Sequence, residues 1–268
     1  MKIIHIANFY GPKSGGIKTT LHNLGSGYTI RGHDFTYIVP GVGFYQEKTP
    51  HGNRITVPSW LIPFSGGYRI IRSNRQIKSI LLALSPDRIE ISDRFTLSGV
   101  GRWARSHKIP TLVFSHETLR GLVKNYLGIP MKRFVGWHNT RLASRFDYVV
   151  TTTNFAAAEF DEIGTTNVVR VPLGVDLQTF SPSLRNEELR TKMIKGGEVL
   201  LVHCGRLSPE KKPERSLETL RELLDRGINA RLVYIGSGPL HKKLYDSSRD
   251  IPVTFWGYVA NKNLLAQM

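Results

Sequence analysis

Arg206 and Lys211 stand five residues apart, directly after the apolar run Val199-Leu-Leu-Val-His-Cys204. A short β-branched run of this kind reads as a buried parallel strand, and Pro213 followed by Arg215 to Leu224 reads as the next helix. The two cations therefore fall in a strand-to-helix loop at the carboxyl end of a sheet, where open α/β folds take their ligands. Two fixed positive charges facing a helix N-terminus suit a diphosphate. Leu232-Val-Tyr-Ile-Gly236-Ser-Gly238-Pro-Leu240 repeats the pattern, and its two glycines would let a ligand approach the backbone closely. Pro252 to Val259 repeats it once more and brings Tyr258 and Val259 to the same rim. A solvated basic loop is the plainer alternative for the first of these units taken alone.

The first half offers a second set. Gly15 and Gly16 close the loop after the first strand and open a helix at Ile17, so backbone N–H groups and the helix dipole can face an anion. This is not a phosphate-binding P-loop, because Ile17 displaces Lys18-Thr19 from the required place. His116 and Glu117 follow the strand Thr111–Ser115, and Asp93 with Arg94 ends the neighbouring strand. At a strand's carboxyl end His116 is a functional candidate. Asp93 and Arg94 either bind acceptor hydroxyls or form a local ion pair. The other histidines, His5, His22, His33, His51, His107, His138, His203 and His241, fall on separate elements without metal spacing. No Gly-x-Ser-x-Gly elbow is present to support a hydrolase.

Alternating strands and helices must position these groups. Strands are expected at Lys2–Asn8, Phe35–Pro40, Arg88–Ser92, Thr111–Ser115, Tyr148–Thr152 and Val168–Val171. Helices are expected at Ile17–Ile30, Tyr68–Leu84 and Leu97–Ser106. The alternation predicts an α/β fold with a parallel, doubly wound sheet. Residues 173–182, with Gly174 and Pro182 and no helical period, read as a linker between a domain at 1–172 and a second at 183–268. That second domain is expected to be incomplete, since Asn261–Met268 reads as the start of a helix with no returning strand.

The net charge of +16 is unevenly placed. Residues 64–145 hold 15 Lys or Arg against 4 Asp or Glu, whereas residues 146–268 hold 16 against 15. Arg69, Arg72, Arg75 and Lys78 recur every three residues beside Ile70, Ile71, Ile77, Ile80 and Leu81, the pattern of an amphipathic basic helix suited to an anionic membrane surface. Leu119–Phe146 is a second such segment, with Lys124, Lys132, Arg133, Arg141 and Arg145 among Tyr126, Phe134 and Trp137. An ordinary solvated helix face is the alternative for each. No zinc spacing or recognition motif points to nucleic acid. Cys204 is the single cysteine, which excludes a disulfide framework and fits a reducing compartment, and inside an apolar strand it reads as a packed residue. The opening Met1-Lys-Ile-Ile-His-Ile is too brief in apolar character for a signal peptide, and no run reaches the length of a membrane span.

The Gly-Arg-Leu-Ser-x-Glu-Lys loop, the Gly-Ser-Gly-Pro-Leu turn, Phe255-Trp-Gly-Tyr-Val259 and Val171-Pro-Leu-Gly-Val-Asp176 together resemble family 4 retaining glycosyltransferases of the GT-B fold. Ala7 to Gly16, Arg31-Gly-His-Asp34, Ser92-Asp-Arg94 and Ser115-His-Glu117 are similar in particular to actinobacterial GDP-mannose-dependent mannosyltransferases acting on phosphatidylinositol mannosides or related glycolipids. The resemblance implies two Rossmann-like domains and transfer of mannose to a lipid acceptor with retention. Arg206 and Lys211 would neutralise the leaving diphosphate without an obligatory metal or other cofactor, and Gly16 would supply a backbone donor. Tyr258 and Val259 would border the base, and His116 would lie near the transferred sugar on the acceptor side. The expected setting is cytoplasmic, peripheral at the inner face of the plasma membrane. The family's Glu-x(7)-Glu segment, whose first glutamate engages the donor sugar, would fall after Met268. The rival expectation is therefore a noncatalytic remnant that keeps anionic-ligand or membrane binding.

Overall fold

The computed structural model describes residues 1–11, 16–63, 67–121, 123 and 131–268. Gly15, Lys124 and Tyr126 lie outside the described residues. The chain divides into two compact units, Met1–Leu173 and Gly174–Met268.

Unit 1 runs β1 (Lys2–Ala7), α1 (Gly16–Ile30), β2 (Asp34–Gly41), β3 (Tyr45–Thr49), β4 (Gly52–Leu61), β5 (Arg69–Ile71), α2 (Asn74–Leu84), β6 (Arg88–Ser92), α3 (Ser98–Ser106), β7 (Thr111–Ser115), α4 (Lys132–Ala143), β8 (Tyr148–Thr151), α5 (Asn154–Asp161) and β9 (Val168–Arg170). The sheet order is β3-β4-β2-β1-β6-β7-β8-β9, with β5 paired to β4. Every pair from β4 through β9 is parallel, whereas β3 and β5 run antiparallel to β4. Strand alternation splits the apolar residues between two cores. Ile4 and Ile6 face one with Ile77, Leu81, Val100 and Leu142, while Ile3 and Ala7 face the other with Leu21 of α1 and Tyr37. The β1–β6 register pairs Ala7 with Ser92, which sets Asn8 beside Asp93 at the carboxyl ends.

Unit 2 follows with α6 (Glu187–Ile194), β10 (Val199–Cys204), a 3-10 turn at Pro209–Lys211, α7 (Glu214–Asp225), β11 (Ala230–Ile235), α8 (His241–Asp246), β12 (Val253–Gly257) and α9 (Lys262–Gln267). Its three strands are parallel in the order β10-β11-β12. Leu217 and Leu220 of α7 pack with Leu232 and Tyr234 on one face, and Met193 of α6 packs with Val233 and Ile235 on the other.

Three sequence expectations need correction. The basic segment at Tyr68–Leu84 is not one helix. Arg69–Ile71 is a strand on β4, and Ser73 caps α2 by accepting from the Gln76 amide at 3.3 Å. A serine side chain that satisfies an orphan amide fixes the helix start, and this overrides the three-residue periodicity read across it. Arg69 and Arg72 are therefore off the helix, and only Arg75 and Lys78 ride on it. Second, β3, β4 and β5 form an antiparallel addition at the sheet edge, which the expected strand–helix alternation lacked. Third, Cys204 is exposed. Alternation turns Leu200, Val202 and Cys204 to one face of the edge strand β10, and the apolar cluster there reaches Leu200 but leaves Val202 42% exposed.

If Ser73 sets the start of α2, Ser73→Ala should cost about 1 kcal/mol of local stability. Hydrogen exchange should quicken at the first-turn amides of α2 while those of α3 stay unchanged. Equal protection in both variants would show that the cap is energetically silent.

Candidate functional site

In unit 1 the sequence candidates gather at the carboxyl ends of β1, β6 and β7, above a buried polar chain that crosses three strands and α1. The Tyr28 hydroxyl donates to Glu90 Oε1 at 2.7 Å, and His5 Nδ1 meets Glu90 Oε2 at 3.0 Å. His5 Nε2 lies 2.8 Å from Ser92 Oγ, which in turn lies 3.1 Å from His116 Nε2. His5 and Glu90 are fully buried. The rings of His5, Phe114 and His116 stack in sequence at 5.3 and 5.6 Å. His5, Glu90 and Ser92 carry no motif signal of their own; their joint placement follows from the β1–β6 register, which pairs His5 with Glu90 and Ala7 with Ser92.

Hydrogen-bond polarity along this chain is constrained by donor counting. With His5 singly protonated on Nδ1, Glu90 accepts from Tyr28 and from that N–H, His5 Nε2 takes the Ser92 proton, and Ser92 Oγ accepts from His116 Nε2–H. In that arrangement His116 carries its proton on Nε2 and a lone pair on Nδ1. Burial, and after it the neighbouring His5, holds the His116 pKa down at about 4.

Asp93 and Arg94 are not paired with each other. Asp93 Oδ1 accepts from the amides of Phe95, Thr96 and Leu97, and Oδ2 accepts from Asn8 Nδ2 at 2.8 Å, so this carboxylate holds the turn into α3. Arg94 is 6% exposed and donates to Ser115 Oγ, the Glu117 carbonyl and Asn139 Oδ1. Its pKa is lowered to about 10, mainly by burial. Asn139 in turn donates to Glu159, whose two oxygens receive the Leu119 and Arg120 amides. These residues brace the loop that carries His116, and the exposed group beside it is the Glu117 side chain. Gly16 is the first residue of α1 and is exposed. The fold also joins histidines that the sequence left scattered: His22 stacks on His51 at 4.1 Å.

In unit 2 the loops after β10, β11 and β12 are tied by main-chain bonds. Gly205 N donates to Ile235 O, Leu207 N to Ser237 O, Leu240 N to Leu207 O, and Gly236 N to Gly257 O. A Cβ at Gly236 would lie 1.9 Å from Gly205 O, and one at Gly238 would lie 2.3 Å from Leu207 O. The close approach at both glycines is thus made by the neighbouring loop itself. Arg206 reaches Glu210 Oε1 at 3.0 Å and Lys211 ends the 3-10 turn, exposed. Partial burial opposes ionisation of Glu210, but the Ser208 hydroxyl and the charges of Arg206 and Lys211 hold its carboxyl below the usual range. Tyr258 is exposed, whereas Val259 packs against the cluster around Met193. Among the described residues, no group of three or more His, Cys, Asp or Glu could hold a metal ion, and no helix is long and apolar enough to cross a membrane.

The parallel Rossmann-like sheets of the two units match the GT-B fold of solved glycosyltransferases. Sucrose-phosphate synthase from Thermosynechococcus elongatus superposes with a TM-score of 0.71 at 17% identity over 99% of this chain and 72% of its own. Anabaena HepE in complex with UDP superposes with a TM-score of 0.69 at 16% identity over 100% of this chain and 72% of its own. The profile of Glycosyltransferase Family 4 matches residues 14–179. The GDP-mannose-dependent alpha-(1-6)-phosphatidylinositol dimannoside mannosyltransferase of Mycobacterium tuberculosis (strain ATCC 25177 / H37Ra) is 42% identical over 268 residues, 99% of this chain and 70% of that protein. A GDP-mannose-dependent alpha-mannosyltransferase of M. tuberculosis (strain CDC 1551 / Oshkosh) is 26% identical over 89% of this chain and 63% of its own. The chain belongs to glycosyltransferase family 4.

Two outcomes follow for unit 1. In a long-range 15N correlation spectrum His116 is expected as the Nε2–H tautomer, with the preference lost in Ser92→Ala and kept in Ser92→Thr. A parent His116 protonated on Nδ1 would reverse the assignment. Because the folded imidazole titrates at about 4 and the free side chain at 6.5, the unfolded chain binds more protons between those values. Stability is present above 6.5 and is lost as pH falls through this window. Thermal unfolding of unit 1 should drop more steeply from pH 6.5 to 4 in the parent than in His116→Gln; parallel curves would remove His116 from the linkage.

Proposed function

We propose that this chain transfers a mannosyl residue from GDP-mannose to a phosphatidylinositol-mannoside type of glycolipid acceptor, with retention of configuration. The observation that carries the reading is the tied loop cluster of unit 2, which presents Arg206 and Lys211 at the carboxyl end of β10. In this reading the two cations bind the diphosphate and neutralise it as the bond from the sugar C1 to its oxygen breaks. The bond's electron pair stays with the diphosphate, and the acceptor oxygen bonds C1 as its proton passes to the departing diphosphate oxygen. Gly16, at the N-terminus of α1, offers its backbone N–H to an anion in unit 1. The loops at Gly236 and Gly238 shape the donor site, and Tyr258 and Val259 border the base. Leaving-group charge is met by Arg206 and Lys211, with no obligatory metal or cofactor.

The acceptor belongs to unit 1 in this reading. His116 offers its Nδ1 lone pair to a sugar hydroxyl, Glu117 supplies an exposed carboxylate, and Asp93 and Arg94 hold the loops that carry them. A neutral imidazole suits this role, since a lone pair rather than a charge meets the hydroxyl proton. The lipid acceptor and the excess of cations in residues 64–145 support a peripheral position on an anionic bilayer, at the cytoplasmic face of the plasma membrane. Arg72, Arg75 and Lys78, near the start of α2, and Arg69 on β5 would contribute to that contact. Nucleic acid has no part in this reading.

Arg206→Ala and Lys211→Ala should each weaken GDP binding by about 1.5–3 kcal/mol, the range of a charge-assisted contact. Calorimetry with GDP, UDP and ADP on the parent and both variants measures this. Unchanged GDP affinity in both variants would overturn the diphosphate assignment, and a preference for UDP or ADP over GDP would overturn the donor.

A further inference from the structure

Outside the strand-end loops, unit 1 carries an open groove of about 510 Å³ on its helical face, lined by Lys78 of α2, Arg102, Trp103 and Ser106 of α3, Arg141 of α4 and Arg145 just beyond it. Four cations from three helices meet here without a lining carboxylate. None of the four enters an ion pair among the described residues. Arg141 lies over the Trp137 ring at 5.6 Å. Arg145 donates from Nη1 to Ser98 Oγ at 2.6 Å, but its Nε is buried without a partner. Burial, and then the charges of Arg141 and Arg102, push the Arg145 pKa down.

The groove is built, not a chance meeting of mobile side chains. A Cβ at Gly101 would lie 2.7 Å from the Arg145 carbonyl oxygen, so α3 rides directly on the segment that follows α4. The Ser98–Arg145 bond and a 2.6 Å bond from Arg105 Nη1 to the Ser144 carbonyl fix that contact from both sides. Like charges held together raise the energy of the empty groove, and an anion entering it gains from all of them at once. Guanidinium forks match the oxygens of phosphate in particular.

We propose that this groove is a phosphate-binding site. It shares no residue with the strand-end loops and does not depend on the transfer reading. Its ligand is either a free phosphate compound or the phosphate of a lipid headgroup, and both arms are tested together. The starting protein carries Arg206→Ala and Lys211→Ala, which silences the other expected phosphate contact. Calorimetry with inorganic phosphate and pyrophosphate, and sedimentation with phosphatidylglycerol or phosphatidylcholine vesicles, are then compared with the same protein further bearing Arg102→Gln and Arg141→Gln. Both arginines are exposed, so the fold should survive their loss. A control bearing Lys48→Gln and Lys192→Gln removes equal charge elsewhere. Binding should weaken about tenfold for each guanidinium removed, and the control should stay within about twofold of its parent. Binding of the free ions assigns a soluble ligand, whereas tight binding confined to phosphatidylglycerol vesicles assigns a headgroup. An equal loss in the control, or no binding of any phosphate probe to the starting protein, overturns the proposal.

Discussion

The architecture of unit 1 depends on burying a histidine and a glutamate side by side in the centre of its sheet. His5 and Glu90 have no exposure at all. Each unmade hydrogen bond at such a place would cost about 1–3 kcal/mol. Every polar atom of the pair is met: Glu90 by Tyr28 and His5, His5 by Glu90 and Ser92. This satisfaction requires β1 and β6 in one register and α1 packed over that face, since Tyr28 comes from α1. A one-residue slip would turn His5 to the opposite core and break its bond to Glu90. The polar pair therefore specifies the strand alignment that also brings Asn8, Asp93 and His116 to one end of the sheet.

Unit 2 reaches a similar end by main-chain contact. Its strand-end loops donate to each other's carbonyls, and Gly236 and Gly238 are where no side chain would fit between them. The loop that holds Arg206 is thus fixed by its neighbours.

The sequence made the repeating core legible. Apolar runs ending in glycine marked β10, β11 and β12, and Arg88–Ser92 and Thr111–Ser115 were read with the observed bounds. Of these, β6, β7 and β11 are buried on both faces, and continuous apolar character is a signal that needs no partner to be recognised. The edge strand β3 was missed because it is exposed along almost its whole length and reads as polar loop. The basic stripe at Arg69–Lys78 failed for a related reason: periodicity counted cations and overlooked Ser73, whose capping bond divides strand from helix. The candidate residues at strand ends were visible because topology alone places them. The Tyr28–Glu90–His5–Ser92 chain was not, since its members lie between positions 5 and 92 and only pairing joins them. The excess of cations was visible as a number, but its assembly from α2, α3 and the end of α4 required the packing of three helices.

Glu210 gives the last link between stability and function in unit 2. Its ion pair with Arg206 is partly exposed, at 48% and 31% for the two side chains, and pairs of this kind contribute about 0–1 kcal/mol. That is too little to hold the loop, which the main-chain bonds already hold. In the proposed donor reading a diphosphate, which carries more charge than one carboxylate, would take the place of Glu210 at Arg206.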